Sequence, residues 1–212
     1  MQTVNENKKI GRKERERLFK RREILLAAVD LFARNGFENT KLDDIAEASE
    51  FGKGTLYNYF HNKEEIYFAS IKQIFDDYCE MHERILNNTE TLKEYFEETT
   101  KSLIQYCVNN KSSFIMLVRF RTRIMDRQKL EGFNLLTGFY EQVNQMLTKR
   151  IKQAIKNNEI RKVDSESLIL LYKSMIIPYL HLNFIANDNL EIDVEKETKF
   201  ILSVLFNGIL IK

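Results

Sequence analysis

Proline occurs once in these 212 residues and glycine seven times. A many-stranded sheet needs turn formers at short intervals, and this chain does not supply them, so an all-α fold is expected. Tryptophan is absent. No apolar run approaches the roughly 18 residues that a membrane span requires. No apolar segment directly follows the basic N-terminus, as it would in a secretory signal, so a cytoplasmic protein without membrane contact is expected. The two cysteines, Cys79 and Cys107, form neither a CxxC pair nor a disulfide framework. They read as buried small hydrophobes in a reducing compartment. The histidines, His61, His82 and His181, lack metal-ligand spacing. With no nucleophile–base pair and no glycine-rich phosphate loop, no catalytic residue, metal or cofactor is expected, and a helical enzyme is the least supported class.

Charge is present but unevenly placed. The formal net charge is +2, yet nine basic residues against Glu14 and Glu16 fall between Lys8 and Arg22. Residues 1–19 therefore read as a basic arm, either solvated or following a phosphate backbone.

Helical periodicity begins with Ile24, Ala27, Ala28, Leu31 and Phe32 on one face. Gly36 is placed to end that helix with a left-handed residue. Thr40 and Asp43 have the spacing of a capping box for a second short helix carrying Leu42, Ile45, Ala46 and Ser49. Phe51-Gly52 is expected to break it, and Lys53 to Phe60 reads as a third helix held by Leu56 and Phe60. Asn62 is expected to cap a fourth helix, with Glu65 reaching back. Short helices joined by a tight turn form a helix-turn-helix. On the third helix, Lys53, Thr55, Tyr57, Asn58 and Tyr59 carry groups suited to base edges and phosphate oxygens, while Gly54 lets backbone approach a groove. An ordinary helical hairpin with half-buried tyrosines is the competing reading for this octapeptide alone.

Beyond residue 66 long amphipathic helices take over, with breaks near Asn87–Thr89, Asn109–Ser113 and residues 157–167. Pro178 is expected to kink its helix. Arg119, Arg123 and Arg127 recur every fourth residue, near Arg121. They form either a solvated face or an inward anchor for an anionic head group.

Taken together, A-x-x-L-F-x-x-x-G-F at Ala28–Phe37, D-I-A at Asp44–Ala46, K-G-T-L-Y-x-Y-F at Lys53–Phe60 and N-K-E-E at Asn62–Glu65 resemble the DNA-binding domain of the TetR family of bacterial transcriptional regulators. The resemblance covers residues 20–67. It implies a basic arm at 1–19, a helix-turn-helix domain at 20–66, and a helical effector-binding and dimerisation domain at 67–212. Lys53, Gly54 and Thr55 match positions that touch bases, and Tyr57 and Tyr59 match contacts to thymine methyls or phosphates. Lys63 matches a phosphate-contacting lysine, and Thr40 lies near the phosphate-contacting end of the motif. Lys41 and Gly52 depart from the family pattern, with Lys41 itself able to meet phosphate.

The implied function is a ligand-responsive repressor that binds a palindromic double-stranded operator as a homodimer and is released by an apolar or amphipathic small molecule. An activator or a protein-responsive regulator of the same fold is the alternative. The dimer surface is expected on the last two helices, at Leu168, Leu171, Phe200, Ile201, Val204 and Leu205. Tyr172 and Met175 share a face with the first two. An effector pocket is expected from Phe96, Phe114, Arg119, Arg123, Tyr140, Tyr172, Met175 and Tyr179. Intramolecular core is the competing reading for each of these apolar residues.

Overall fold

The computed structural model describes residues 11–125, 133–185 and 192–207, apart from the side chains of 121–125, 133–137, 139, 140 and 184. Among the described residues there are nine α-helices, one π-helical turn and no strand. The chain divides into two compact units, with the boundary between Ser70 and Ile71.

The first unit holds α1 (Arg12–Asn39), α2 (Leu42–Ala48), α3 (Lys53–Tyr57) and the start of α4 (Lys63–Asn88). Residues 12–19, assigned from sequence to an arm, are helical and belong to α1. Arginine, lysine and glutamate are good helix formers, and the pairs Glu14–Arg17 at 3.8 Å and Glu16–Lys20 at 2.8 Å add support along one face. Gly36 interrupts α1 with φ 79 and ψ 168, a conformation that a side chain disfavours. Ile24, Ala28 and Phe32 of α1 are buried, as are Ile45 and Ala46 of α2, Leu56 of α3, and Phe60 and Ile66. Phe37 and Tyr67 extend this core, with Tyr67 edge-on to Phe32 at 5.2 Å and to Phe37 at 5.1 Å.

The second unit continues α4 and adds α5 (Leu92–Asn109), α6 (Lys111–Met125), α7 (Phe133–Lys156), α8 (Ser165–Leu180), a π-helical turn at His181–Ile185 and α9 (Val194–Phe206). Side chains start three of these helices. Thr91 accepts from the Glu94 N–H at 3.2 Å, Asp164 from Ser167 at 2.8 Å, and Asp193 from Lys196 at 3.0 Å. α5 packs against α6, α7, α8 and α9. Pro178 stays inside α8, which loosens into the π-helical turn directly afterwards. Cys79 and Cys107 are both buried, and burial pushes the Cys107 thiol up to about 12. No helix among the described residues is long and apolar enough to cross a membrane.

Three residues read from sequence as dimer surface lie elsewhere. Leu168, Ile201 and Leu205 are buried in the core of this unit, because α8 and α9 turn those sides toward α5. Leu171, Phe200 and Val204 are exposed, and so is Leu170.

That core also contains polar side chains. His82 is fully buried, with Nδ1 2.5 Å from the Tyr95 hydroxyl. Burial, reinforced by the nearby Lys173 charge, pushes its pKa down to about 3, so the ring stays neutral in the folded protein. In the unfolded chain a histidine takes up a proton near pH 6.5, about the reference value. Stability is therefore complete above that pH and falls on acidification toward the folded value. The loss reaches about 2 kcal/mol at pH 5. Urea unfolding followed between pH 7 and pH 5 should show this slope, and His82→Gln should flatten it.

Candidate nucleic-acid interface

α2 ends in a Schellman arrangement that sets the turn of the motif. The Phe51 N–H donates to the Ala46 carbonyl at 3.1 Å and the Glu50 N–H to the Glu47 carbonyl at 3.0 Å. Glu50 occupies the left-handed position with φ 59. Gly52, the expected breaker, has an ordinary φ of −64 and precedes α3. The turn therefore places its strain on a glutamate, two residues before the glycine that marks it in the sequence.

α3 is a short helix, ending at Tyr57 rather than Phe60, and residues 58 and 59 form a turn. Leu56 and Phe60 are buried beneath it, and the Arg21 guanidinium lies 5.1 Å from the Phe60 ring centroid. That anchoring leaves Lys53, Gly54, Tyr57 and Asn58 exposed, with Thr55 and Tyr59 half-buried. Lys41 is exposed as well. A Cβ built on Gly54 meets nothing within 4 Å, so the protein itself imposes no need for glycine there.

The capping arrangement is shifted by one residue. Asp44 accepts from the Lys41 N–H at 3.1 Å, which makes Lys41, not Thr40, the N-cap of α2. Thr40 is fully buried and its hydroxyl donates to the Gly36 carbonyl at 2.7 Å. It closes the end of α1 and offers no group to a phosphate. Asp43, freed from capping, instead accepts from Lys53 Nζ at 2.6 Å. This exposed pair raises the Lys53 pKa, through the hydrogen bond first and charge second. Sequence reading gave Asp43 the role that belongs to Asp44. The tandem acids at 43 and 44 were the available signal.

Asn62 accepts from the Glu65 N–H at 2.7 Å, and the Glu65 carboxylate reaches back to the His61 N–H at 2.7 Å. Lys63 is used inside the unit. Its ammonium donates to the Phe37 carbonyl at 2.7 Å and the Glu38 carbonyl at 3.3 Å, and lies 4.4 Å from the centroid of the Phe37 ring. Two of its three protons are thereby committed to the end of α1, so its first role is to tie α4 to α1.

In the second unit, Phe96, Phe114 and Tyr172 of the expected pocket are buried, and the Phe96 and Tyr172 rings meet at 4.7 Å. Met175 and Tyr179 are partly buried against the same core. Arg119 is exposed on α6. Arg121, Arg123, Arg127 and Tyr140 lie outside the residues whose side chains are described. No group of three or more acidic, histidine or cysteine side chains suited to a metal occurs among the described residues.

Residues 24–70 match the model of the bacterial regulatory proteins of the tetR family, over the same helices that build this interface. The chain belongs to the TetR family. It is 27% identical over 152 residues to the biofilm operon negative transcriptional regulator IcaR of Staphylococcus aureus, covering 71% of this chain and 78% of IcaR. The TetR-type fold extends over most of the chain. FadR from Bacillus subtilis, solved with stearoyl-CoA, is 22% identical with a TM-score of 0.74, covering 88% of this chain and 98% of FadR. AibR, solved with isovaleryl coenzyme A and operator DNA, is 20% identical with the same TM-score and the same coverages. This TetR-family protein is thus a transcriptional regulator whose DNA-binding motif is the helix-turn-helix of α2 and α3.

Two substitutions separate recognition from scaffolding. Gly54→Ala should leave folding intact, or strengthen it by about 0.5–1 kcal/mol through helix propensity. It should also weaken DNA binding by roughly tenfold in a mobility-shift titration, because the added methyl group stands between backbone and groove. Lys63→Met should lower unfolding stability by about 1.5–3 kcal/mol in urea, the loss expected for charge-assisted hydrogen bonds. Unchanged stability with weaker DNA binding would instead make Lys63 a phosphate contact alone.

Proposed function

We propose that this protein is a cytoplasmic, ligand-responsive repressor that binds a palindromic operator as a homodimer. The observation that carries the reading is the edge of α3. Its polar residues Lys53, Tyr57 and Asn58, with Gly54 between them, are exposed over a buried Leu56–Phe60 anchor. An α-helix fits the major groove, where such side chains meet base edges and phosphates. On this reading Lys53, Thr55, Tyr57, Asn58 and Tyr59 contact the operator, with Lys41 at its flank.

A single motif of this size covers too few base pairs for tight binding, and two copies joined in one body gain from effective concentration. Leu170, Leu171, Phe200 and Val204 supply a surface for that union, since each is between 54% and 60% exposed. The sign of regulation is supported by IcaR, a negative regulator. An amphipathic effector is supported by the acyl-CoA molecules held by FadR and AibR. α4 runs unbroken from Lys63 to Asn88, so a displacement of its later turns by a ligand is carried along the same helix toward the motif. The effector then shifts the population away from the DNA-fitting conformer.

Selection of bound DNA from random sequence should return a palindrome whose half-sites are set by two-fold symmetry. Leu171→Glu combined with Val204→Glu should yield a folded monomer by sedimentation and reduce affinity for the selected site by at least about tenfold. Unpartnered, asymmetric sites with full affinity for that monomer would refute the dimeric reading.

A further inference from the structure

The exposed edge of the motif carries an acid as well as cations. Asp43 stands in the first turn of α2, and Lys53, 10 positions on across the turn, is the first residue of α3. The Lys53 ammonium donates to Asp43 Oδ2 at 2.6 Å, while the lysine and the acid stay 63% and 58% open to solvent. Neither helix needs this pair. α2 is capped through Asp44, which accepts from the Lys41 N–H, and α3 starts after Gly52 without a side-chain cap. α2 and α3 pack together, with Ile45, Ala46 and Leu56 buried. An exposed ion pair adds little to stability, so the scaffold gives no account of an acid on a surface that approaches DNA.

A carboxylate facing DNA repels phosphate, and here it also withholds a cation from phosphate binding. Its position gives the edge a definite pattern, a donor and an acceptor side by side. Of the three ammonium protons of Lys53, one is committed to Asp43 and two stay free, and Asp43 keeps its second oxygen as an acceptor. In the major groove a G·C pair shows the N7 and O6 acceptors of guanine and then the N4–H donor of cytosine. O6 and N4 are themselves joined by a base-pairing hydrogen bond, so they lie about 2.9 Å apart. The Lys53–Asp43 separation of 2.6 Å is close to that spacing. Two free ammonium protons thus match two guanine acceptors, and the carboxylate matches the cytosine donor. An A·T pair has the same donor–acceptor spacing, but thymine O4 stands beside the C5-methyl and offers the ammonium one acceptor only.

We infer that Asp43 is a specificity-determining residue: it holds Lys53 on the guanine of one G·C pair per motif and itself accepts from the N4–H of the paired cytosine. This rests on the placement of Lys53 against the operator proposed above, and names the base pair that it reads. Where the two side chains meet A·T instead, one ammonium proton faces a methyl group and finds no acceptor. Where they meet phosphate alone, the carboxylate is repelled and the lysine charge is largely offset. Both penalties fall on wrong sites, so the acid raises discrimination rather than total affinity.

The test selects bound DNA from random sequence with the full-length protein, then titrates the selected duplex and an unrelated duplex at several salt concentrations by fluorescence anisotropy. The unaltered protein should require G·C at one position per motif. Asp43→Ala should relax that position, leave the others as they were, and lower the ratio of selected to unrelated affinity by roughly tenfold. Affinity for the unrelated duplex should rise, with a salt slope steeper by about one per motif, because Lys53 is released to phosphate. Asp43→Asn, which keeps the shape of the first turn of α2, should reproduce the steeper slope, and thermal unfolding checks that each variant is folded. Lys53→Ala should relax the same position, and the double variant should lose no more there than Lys53→Ala alone, as two residues acting as a unit require. An unchanged base preference in Asp43→Ala overturns the inference. So does a rise in affinity that is equal for both duplexes, which makes the acid a brake on charge alone, or an effect that simply adds to that of Lys53→Ala. If Lys53→Ala also leaves the selected sequence unaltered, the placement of Lys53 on DNA fails as well. If Lys53→Ala relaxes a position and Asp43→Ala does not, only the role of Asp43 is lost.

Discussion

The carbonyls at the end of α1 need donors, and the placement of the DNA-reading edge depends on how they find them. Gly36 breaks the helix, the buried Thr40 hydroxyl takes the Gly36 carbonyl, and the Lys63 ammonium takes those of Phe37 and Glu38. The Lys63 contacts tie residues more than twenty positions apart at the point where α4 begins. Phe37 then sits between the Lys63 charge and the Tyr67 ring, so the aromatic core and the helix end are fixed by one set of groups. The segment from 40 to 62, which holds α2 and α3, is closed across this tie. Burial of Leu56 and Phe60 holds α3 down, and the Lys63 contacts fix the start of α4 against the end of α1.

The motif was legible because its signals are local. Leu56 and Phe60 repeat at helical spacing, and Asn62 and Glu65 announce a cap within four residues; both features are present in the structure. What was not legible turns on single-residue register. One position along a helix rotates a side chain by about 100°. That rotation separates Asp43, which meets Lys53, from Asp44, which caps. It also separates Thr40, turned inward, from Lys41, turned outward. Glu50 illustrates a different limit. A left-handed residue is normally sought at glycine or asparagine, and Gly52, two residues on, drew attention away from a glutamate that carries the positive φ.

In the second unit the limit is composition. α8 is apolar nearly all round, so periodicity cannot tell its inner side from its outer side. Leu168 and Leu171 therefore looked equivalent, yet one is buried in the core and the other exposed. An apolar helix with one face left over requires a partner or carries a solubility cost, which is why the exposed residues keep their interface reading and the buried ones lose it. Lys173 was overlooked for the same reason. Amid SLILLYKSMIIPYL a single lysine reads as the polar face, whereas here the helix has no polar face at that point and the ammonium is inside.

Both units hold buried polar groups, some answered within the protein and some not. In the first, the buried Thr40 hydroxyl is spent on a backbone carbonyl, which rigidifies a motif that must present one shape to DNA. The Ser70 hydroxyl in that unit and the His82 Nε2 in the second are polar atoms that no protein group answers. Such atoms lower the stability of the free core and cannot be justified by packing. They become favourable only when something enters to meet them. A sensor needs this asymmetry, because a ligand shifts an equilibrium only by the difference in its free energy between two states. A core satisfied in every respect without ligand would offer nothing for a ligand to complete, and on the effector-binding reading proposed for the second unit the unanswered His82 Nε2 leaves it something to complete.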